Sequence, residues 1–374
     1  MKKIGLFSKS AIMTVAAASM AVAGIAEACT GIALTGADGT PVRARTMEWG
    51  AFDLEASVTL VPRGYEMASK MPDGSDGASW KGKYGFVAAT GLGRLLTTDG
   101  VNETGLSGGL FYLPGFADYP AFDPAQRGNS ISPTDVMSYI LANYSTVAEV
   151  REAMDTIRIV SVSEPALGFP APVHYFVSDP SGAAIVIEVV NKEMKVYDAP
   201  LGVITNSPSY DWHLTNLRNY LNLSATALPT KTVAETDFAP LGSGSGMIGL
   251  PGDFTPPSRF VRAVAFTQSA RETTGGYDTV REAFRILDNF NVPAHGVQHD
   301  EGSDHEGGLV LSSTQFTNAV DMEKKLFYYH TQHNRRVRVI DLNTIDFGSI
   351  GNEPIMLPMD TERVEDIKAV SFKR

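Results

Sequence analysis

Ala26-Glu27-Ala28-Cys29-Thr30-Gly31-Ile32-Ala33-Leu34-Thr35, followed by Gly36-Ala37-Asp38-Gly39 and the run from Pro41 to Trp49, is the stretch on which the reading of this chain turns. Cys29 to Thr35 reads as a strand, Gly36 to Gly39 as a turn, and Pro41 to Trp49 as a returning strand. The hairpin starts at Cys29, the only cysteine in 374 residues. It brings Arg45 and Glu48, on the returning strand, toward that cysteine.

What precedes the hairpin explains why the cysteine stands there. Lys2, Lys3 and Lys9 form a basic segment, Ala11 to Ile25 is apolar, and Ala26-Glu27-Ala28 supplies a small-x-small cleavage pattern. Residues 1–28 are therefore expected to be a signal peptide, cut between Ala28 and Cys29, with a periplasmic or secreted mature chain. The apolar run is too short to span a bilayer comfortably, and no charged stop-transfer segment follows.

A lone thiol sent to an oxidising compartment excludes an intramolecular disulfide and is open to oxidation. As the new first residue, Cys29 would carry an α-amine of pKa about 8, which can take the thiol proton directly or through one water. Two other readings remain at this point. A lipidated cysteine would tether a non-catalytic binding protein to a membrane, although Glu27 stands where lipoprotein signals favour small or aliphatic residues. An inert buried cysteine is the third reading.

The formal charge is −11, with no basic stripe, which argues against binding nucleic acid or anionic lipid. No later segment is long and apolar enough for a membrane helix, so the cleaved chain is expected to stay off the membrane. Phe86 to Leu92 and Gly105 to Phe111 read as strands around Asp99-Gly100 turn chemistry. Helices are expected from Ser132-Pro133 and from the capping pattern Thr146-Val147-Ala148-Glu149 toward Ile157. Val173 to Val177, Ala184 to Val190 and Met194 to Tyr197 form a further strand series. Helical periodicity returns at Trp212 to Leu221, Ser258 to Ser269 and Thr279 to Phe290, and Gln315 to Leu342 reads as β-structure. Strand groups alternating with helix pairs, without βαβ spacing, predict an α+β fold of antiparallel sheets covered by helices. Residues 29–374 are read as a single domain, with Leu113 to Pro133 as a loop over a cleft.

The ordered set Cys29-Thr30, Ala44-Arg45-Thr46-Met47-Glu48-Trp49, Asn102-Glu103-x-Gly105-Leu106 and Thr205-Asn206-Ser207-Pro208-x-Tyr210-Asp211-Trp212 carries a resemblance. Gly249 to Phe254, Ser258-Arg259-Phe260-Val261-Arg262 and Tyr328-Tyr329-x-Thr331-x-x-Asn334-Arg335 extend it. The chain resembles the choloylglycine hydrolase family, which includes bile salt hydrolases and penicillin V acylases, from Cys29 to about Leu342. The resemblance implies an N-terminal nucleophile hydrolase fold, an αββα sandwich of two antiparallel sheets flanked by helices. It implies cleavage of a linear, non-peptide amide with Cys29 as nucleophile and base. Arg45 would lie beside the thiol, and Asn206 and the Tyr112 N–H would hold the oxyanion. Arg259 would stabilise the charge network. Glu48 stands where the family usually has Asp, keeping the carboxylate one methylene further out. As an exported, signal-bearing chain it resembles the Gram-negative branch of the family, a resemblance that points to penicillin V or acyl homoserine lactone cleavage, with conjugated bile salts as the alternative. The expected partner is a small amide with a hydrophobic acyl group. Family members are often homotetramers, an assembly that the residues themselves do not establish.

Other motifs compete. Gly105-Leu106-Ser107-Gly108-Gly109 matches a serine-hydrolase elbow, which needs a strand-to-helix turn; here a strand leads into a loop. Gly242-Ser243-Gly244-Ser245-Gly246 lacks the Lys-Ser/Thr of a phosphate loop. His295, His299, Asp300, Glu301, Asp304, His305 and Glu306 cluster without a zinc or EF-hand spacing. Cysteine-amine chemistry requires neither metal nor cofactor, and none is expected. Trp49, Trp80, Trp212, Tyr112, Phe116, Tyr119 and Phe122 are candidates for an apolar acyl pocket.

Overall fold

The structure is a computed structural model that describes residues 29–50, 53–293 and 313–372. The expected signal segment 1–28 and the His295 to Glu306 cluster lie outside the described residues. The strands of the two large sheets begin with β1 (Thr30–Thr35), β2 (Pro41–Trp49), β3 (Ser57–Val61), β4 (Phe86–Gly91) and β5 (Leu96–Asn102). They continue with β6 (Ser107–Tyr112), β7 (Val173–Ser178), β8 (Ala184–Val190), β9 (Glu193–Asp198) and β10 (Val203–Ile204). The last are β11 (Ser313–Asp321), β12 (Leu326–Thr331), β13 (Arg338–Asp341) and β14 (Ile355–Pro358). The helices are α1 (Val136–Asn143), α2 (Val147–Met154), α3 (Tyr210–Leu217), α4 (Pro256–Gln268) and α5 (Tyr277–Leu287).

The opening hairpin forms as its sequence predicts, with Thr30 opposite Thr46, Ile32 opposite Ala44 and Leu34 opposite Val42. It sits inside a six-stranded antiparallel sheet of order β10-β1-β2-β11-β12-β13. The other sheet is eight-stranded and antiparallel, in the order β9-β8-β7-β6-β5-β4-β3-β14. Helices α4 and α5 pack on the six-stranded sheet and α1 on the eight-stranded one. Helix α5 shows why: Val280, Ala283, Phe284 and Leu287 repeat at helical spacing and are buried in one cluster with Val42, Ala44 and Ala319. On the far side Met137, Ile140, Leu141 and Val150 share a second cluster with Phe86, Ala88 and Tyr175. Each such side chain removed from water contributes about 1.5–3 kcal/mol. The layers are helix, sheet, sheet, helix, the predicted α+β sandwich.

The sheets approach closely where β1 begins. A Cβ on Gly31 would stand 2.7 Å from both Ile204 Cγ2 and Phe111 Cζ, so any larger residue would force these packed side chains to shift.

Two local expectations differ from what forms. Asp99 and Gly100 are inside β5, not in a turn; Asp99 is buried and its carboxylate is taken by Arg43 and Asn318. The turn falls instead at Asn102 to Gly105, where Asn102 Oδ1 accepts from the Thr104 and Leu106 N–H groups and Gly105 has φ +93°. The helix read from Ser132-Pro133 starts at Val136, and the second stops at Met154, short of Ile157. Its cap is as predicted, Glu149 N–H donating to Thr146 Oγ1 at 3.2 Å. Strand β14 carries no alternation strong enough to have been expected, and it completes the eight-stranded sheet by pairing with β3.

Candidate active site

Cys29 is buried at the start of β1. Its sulfur lies 3.9 Å from the Glu48 carbonyl oxygen, across the hairpin. The pleat separates Arg45 from Glu48, because residues three apart on a strand point to opposite faces. Both are fully buried, so the pair is neither a surface ion pair nor a cross-strand one.

Glu48 faces the helix layer. Thr46 Oγ1 donates to its Oε2 at 3.0 Å and Thr314 Oγ1 to its Oε1 at 2.6 Å. Thr46 Oγ1 in turn accepts from the Thr30 N–H at 3.3 Å, which ties the carboxylate to the first residues of β1. Burial pushes the Glu48 carboxyl up to about 7, against the hydrogen bonds of Thr314 and Thr46 and the charges of Arg259 and Arg45.

Arg45 faces the other sheet. Its Nη1 donates to the Leu110 and Thr98 carbonyls at 2.6 and 3.1 Å, its Nε to the Thr46 carbonyl, and its guanidinium lies 4.1 Å over the Phe111 ring. Thr98, Leu110 and Met47, which Arg45 also contacts, line a cavity beside Cys29. Arg45 thus stands behind the cavity wall, and its hydrogen bonds go to that wall and not to the thiol. A second arginine, Arg43, shares the layer; it pairs with Asp99, which also lies 3.9 Å from Arg45.

Arg259 comes from α4, 230 positions away along the chain. It donates to the Cys29 carbonyl and, at 2.9 Å, to Thr30 Oγ1. Its Nη2 donates to Asn206 Oδ1 at 2.6 Å. Burial pushes Arg259 down to about 10, with Glu48 and Cys29 opposing the shift, so it stays cationic at neutral pH. Asn206 Nδ2 donates to the Tyr112 carbonyl at 2.8 Å. In an extended residue the N–H and C=O point to the same side. Leu113 N–H donates to Pro172 O, toward β7, and the Tyr112 N–H therefore points the opposite way, to the Asn206 side. Tyr112 and Asn206, which the family resemblance implies act together, converge.

The cavity at Cys29 is narrow, about 60 Å³, and apolar. Trp49 and Tyr112, packed edge to face at 5.7 Å, form part of its wall, with Leu54, Leu92, Leu96, Leu167 and Val173. The other aromatic candidates go elsewhere. Trp80 packs against Tyr139, Trp212 is exposed, and Tyr119 is buried with its hydroxyl on the Ala171 and Val173 carbonyls. Phe116 and Phe122 do not reach the cavity wall. The wall residues Leu92, Leu96 and Leu167 carry no sequence signal that separates them from ordinary core. Ser107, the serine of the elbow-like motif, is buried within β6 and donates to Gly100 O, with no strand-to-helix turn. A larger groove, about 850 Å³, flanks the other end of β1 near Leu34 and Thr35. Among the described residues its lining includes no cysteine, serine or histidine, and its Arg151 and Arg271 are paired with Asp198 and Asp278.

Two stacked antiparallel sheets between helix layers, with this buried cluster at the head of an inner strand, make up the N-terminal nucleophile hydrolase fold, and the class it defines here is an amidohydrolase. Residues 29–356 match the family described as linear amide C–N hydrolases, choloylglycine hydrolase family. The chain belongs to that family and hydrolyses linear amide C–N bonds. It is 32% identical over 333 residues to a bile salt hydrolase/transferase of Clostridium perfringens, covering 87% of this chain and 95% of that one. It is 25% identical over 338 residues to a penicillin V acylase of Pectobacterium atrosepticum, covering 85% and 81%. The crystal structure of a variant of the conjugated bile acid hydrolase from Clostridium perfringens superposes with a TM-score of 0.77 at 28% identity, covering 92% of this chain and all of the other.

Proposed function

We propose that Cys29 is the nucleophile of a two-step amide hydrolysis and that its own α-amine, freed by cleavage after Ala28 in an exported precursor, is the base. The amine takes the thiol proton, sulfur attacks the amide carbonyl, and charge develops on the carbonyl oxygen. An amide nitrogen carries two hydrogens: Asn206 gives one to the Tyr112 carbonyl and offers the other, beside the Tyr112 N–H, to the oxyanion. One such donor is worth about 10²–10³ in kcat. The C–N bond then breaks as the ammonium returns its proton to the departing nitrogen. Water, deprotonated by the same amine, cleaves the C–S bond of the thioester and releases the acid. Arg259 holds the Cys29 carbonyl and Asn206 in one frame, and Glu48 supplies the buried carboxylate next to the start of β1. The observation that carries this reading is the chain of contacts from Cys29 through Arg259 to Asn206 and Tyr112.

The narrow apolar cavity favours a slim acyl group, as in penicillin V or a long-chain acyl homoserine lactone. The 32% identity to a bile salt hydrolase/transferase favours a conjugated bile salt as the second reading. The test is amine release from penicillin V, glycocholate, taurocholate and a long-chain acyl homoserine lactone. It uses mature protein whose intact mass establishes Cys29 as the first residue, beside Cys29→Ala. Release that disappears in Cys29→Ala is expected, and the preferred amide identifies the acyl group. Undiminished release by Cys29→Ala would overturn the assignment, and a mass increased by a diacylglyceryl group would favour a membrane-tethered chain.

A further inference from the structure

We propose that His174 and Glu188 are a positioning pair that fixes Asn206; the inference rests on Asn206 serving as the oxyanion donor proposed above. Both side chains are fully enclosed. They stand on neighbouring strands β7 and β8, on the face turned toward the six-stranded sheet, and neither lines the Cys29 cavity. Phe176 and Val186 share that face with apolar surroundings. Two polar, ionisable side chains among such neighbours are costly to bury unless their hydrogen bonds are satisfied, and here they are.

His174 Nδ1 lies 2.8 Å from Glu188 Oε1, and Nε2 lies 3.1 Å from the Thr205 carbonyl oxygen. A carbonyl only accepts, so Nε2 carries a proton and the pair holds a second one between Nδ1 and Glu188. The Tyr210 N–H in turn donates to both Glu188 oxygens, at 3.0 and 3.1 Å. Tyr210 opens α3, whose N-cap residue Ser209 makes no side-chain cap bond. Glu188 takes over that role, at the end of the helix where negative charge is favoured.

One pair therefore pins both ends of the Thr205 to Tyr210 segment from the opposite sheet. Between those ends Asn206 meets Arg259 and Tyr112. His213 Nε2 donates to the Asn206 carbonyl at 2.8 Å, and Ser207 Oγ to the Pro114 carbonyl at 2.6 Å. Holding Thr205 sets where the next side chain points. A donor moved by about 1 Å costs on the order of a hundredfold in rate.

Two near-isosteric variants separate positioning from bulk stability. In His174→Gln the side-chain nitrogen stands near the former Nε2 and can still donate to Thr205. In His174→Asn it stands near Nδ1, keeping Glu188 and losing Thr205. The readouts are kcat and KM on whichever panel amide the native protein cleaves, the rate of Cys29 alkylation by iodoacetamide, and crystal structures of both variants. His174→Asn is expected to lower kcat on the order of tenfold to a hundredfold, with KM within about twofold. His174→Gln is expected to stay within about threefold of the native kcat. Alkylation needs no oxyanion donor and is expected to be unchanged in both. Equal kcat values for the two variants, or a loss that tracks alkylation, would overturn the pair's role. If the native protein cleaves no panel amide, the functional reading fails on its own and the crystal structures decide the positioning. Asn206 leaving the Tyr112 carbonyl in His174→Asn alone supports it, and an undisturbed Asn206 in both variants refutes it.

Discussion

Arg259 joins Asn206 to Cys29: one guanidinium nitrogen donates to Asn206 Oδ1 at 2.6 Å while the other donates to the Cys29 carbonyl. The two targets need two nitrogens at a fixed separation, which a planar fork provides and an ammonium does not. Arg259→Lys is expected to lower kcat on the order of a hundredfold, with the fold retained by circular dichroism. Near-native kcat in this variant would mean that Asn206 is held well enough by other contacts.

Glu48 makes stability depend on pH in an unusual direction. Its folded carboxyl is pushed up to about 7, from an ordinary value of 4.5. Between those values the folded chain binds more protons than the unfolded one, so this group lowers stability as pH rises from 4.5 to 7, with no further change above. Glu48→Gln is expected to remove that loss, gaining on the order of a few kcal/mol over the native chain between pH 4 and pH 8. Urea unfolding across that range checks it; parallel curves for the two proteins would sink the idea.

In the layer between the sheets two buried arginines, Arg43 and Arg45, share the Asp99 carboxylate. Asp99 accepts from Arg43 Nη1 at 2.9 Å and from Asn318 Nδ2 at 2.6 Å, and Arg45 stands 3.9 Å away. Asp99→Ala leaves both cations without that partner and is expected to cost about 3–5 kcal/mol in chemical denaturation. A loss below about 1 kcal/mol would show that main-chain carbonyls alone suffice for the two guanidinium groups.

Leu167 sits at the wall of the Cys29 cavity, on the turn between Ser163–Glu164 and Phe169–Pro170. Trimming it to alanine widens a space of about 60 Å³. Leu167→Ala is expected to raise kcat/KM for glycocholate relative to penicillin V on the order of tenfold, the scale at which small apolar volume changes discriminate substrates. An unchanged ratio would remove Leu167 from the determinants of acyl choice.

The site was partly legible before any folding was considered. Cys29, Arg45, Glu48, Asn206 and Arg259 stand in motifs, Tyr112 was implied only by the resemblance, and all but Arg45 line up as a connected cluster through Thr46, Arg259 and Asn206. Arg45 is the exception, since its hydrogen bonds run to the cavity wall. Thr314, His174 and Glu188 were invisible for a physical reason. A buried histidine or threonine within an apolar strand has no local partner in the chain, so its role depends on which strand is stacked opposite. The same holds for Leu167, whose turn reads as ordinary loop until the cavity exists. Asp99 was misread as part of a turn because Asp-Gly is a strong local turn signal. Two arginines arriving from another sheet outweighed it.

What the sequence determined by itself was local. The Gly36 to Gly39 turn between two strand-like runs set the hairpin, helical spacing set the buried face of α5, and the Thr146 cap set the start of α2. Each depends on residues within a turn or two along the chain, where hydrogen bonding and side-chain direction are dictated by neighbours. Only the tertiary structure decided which buried charges meet. The Cys29 carbonyl and the Arg259 guanidinium are 230 positions apart, and their contact follows from α4 packing on the sheet that contains β1. Burial in that layer, which raises Glu48 and lowers Arg259, is a property of stacked sheets and helices, because removal of charge from water is set by everything that surrounds it.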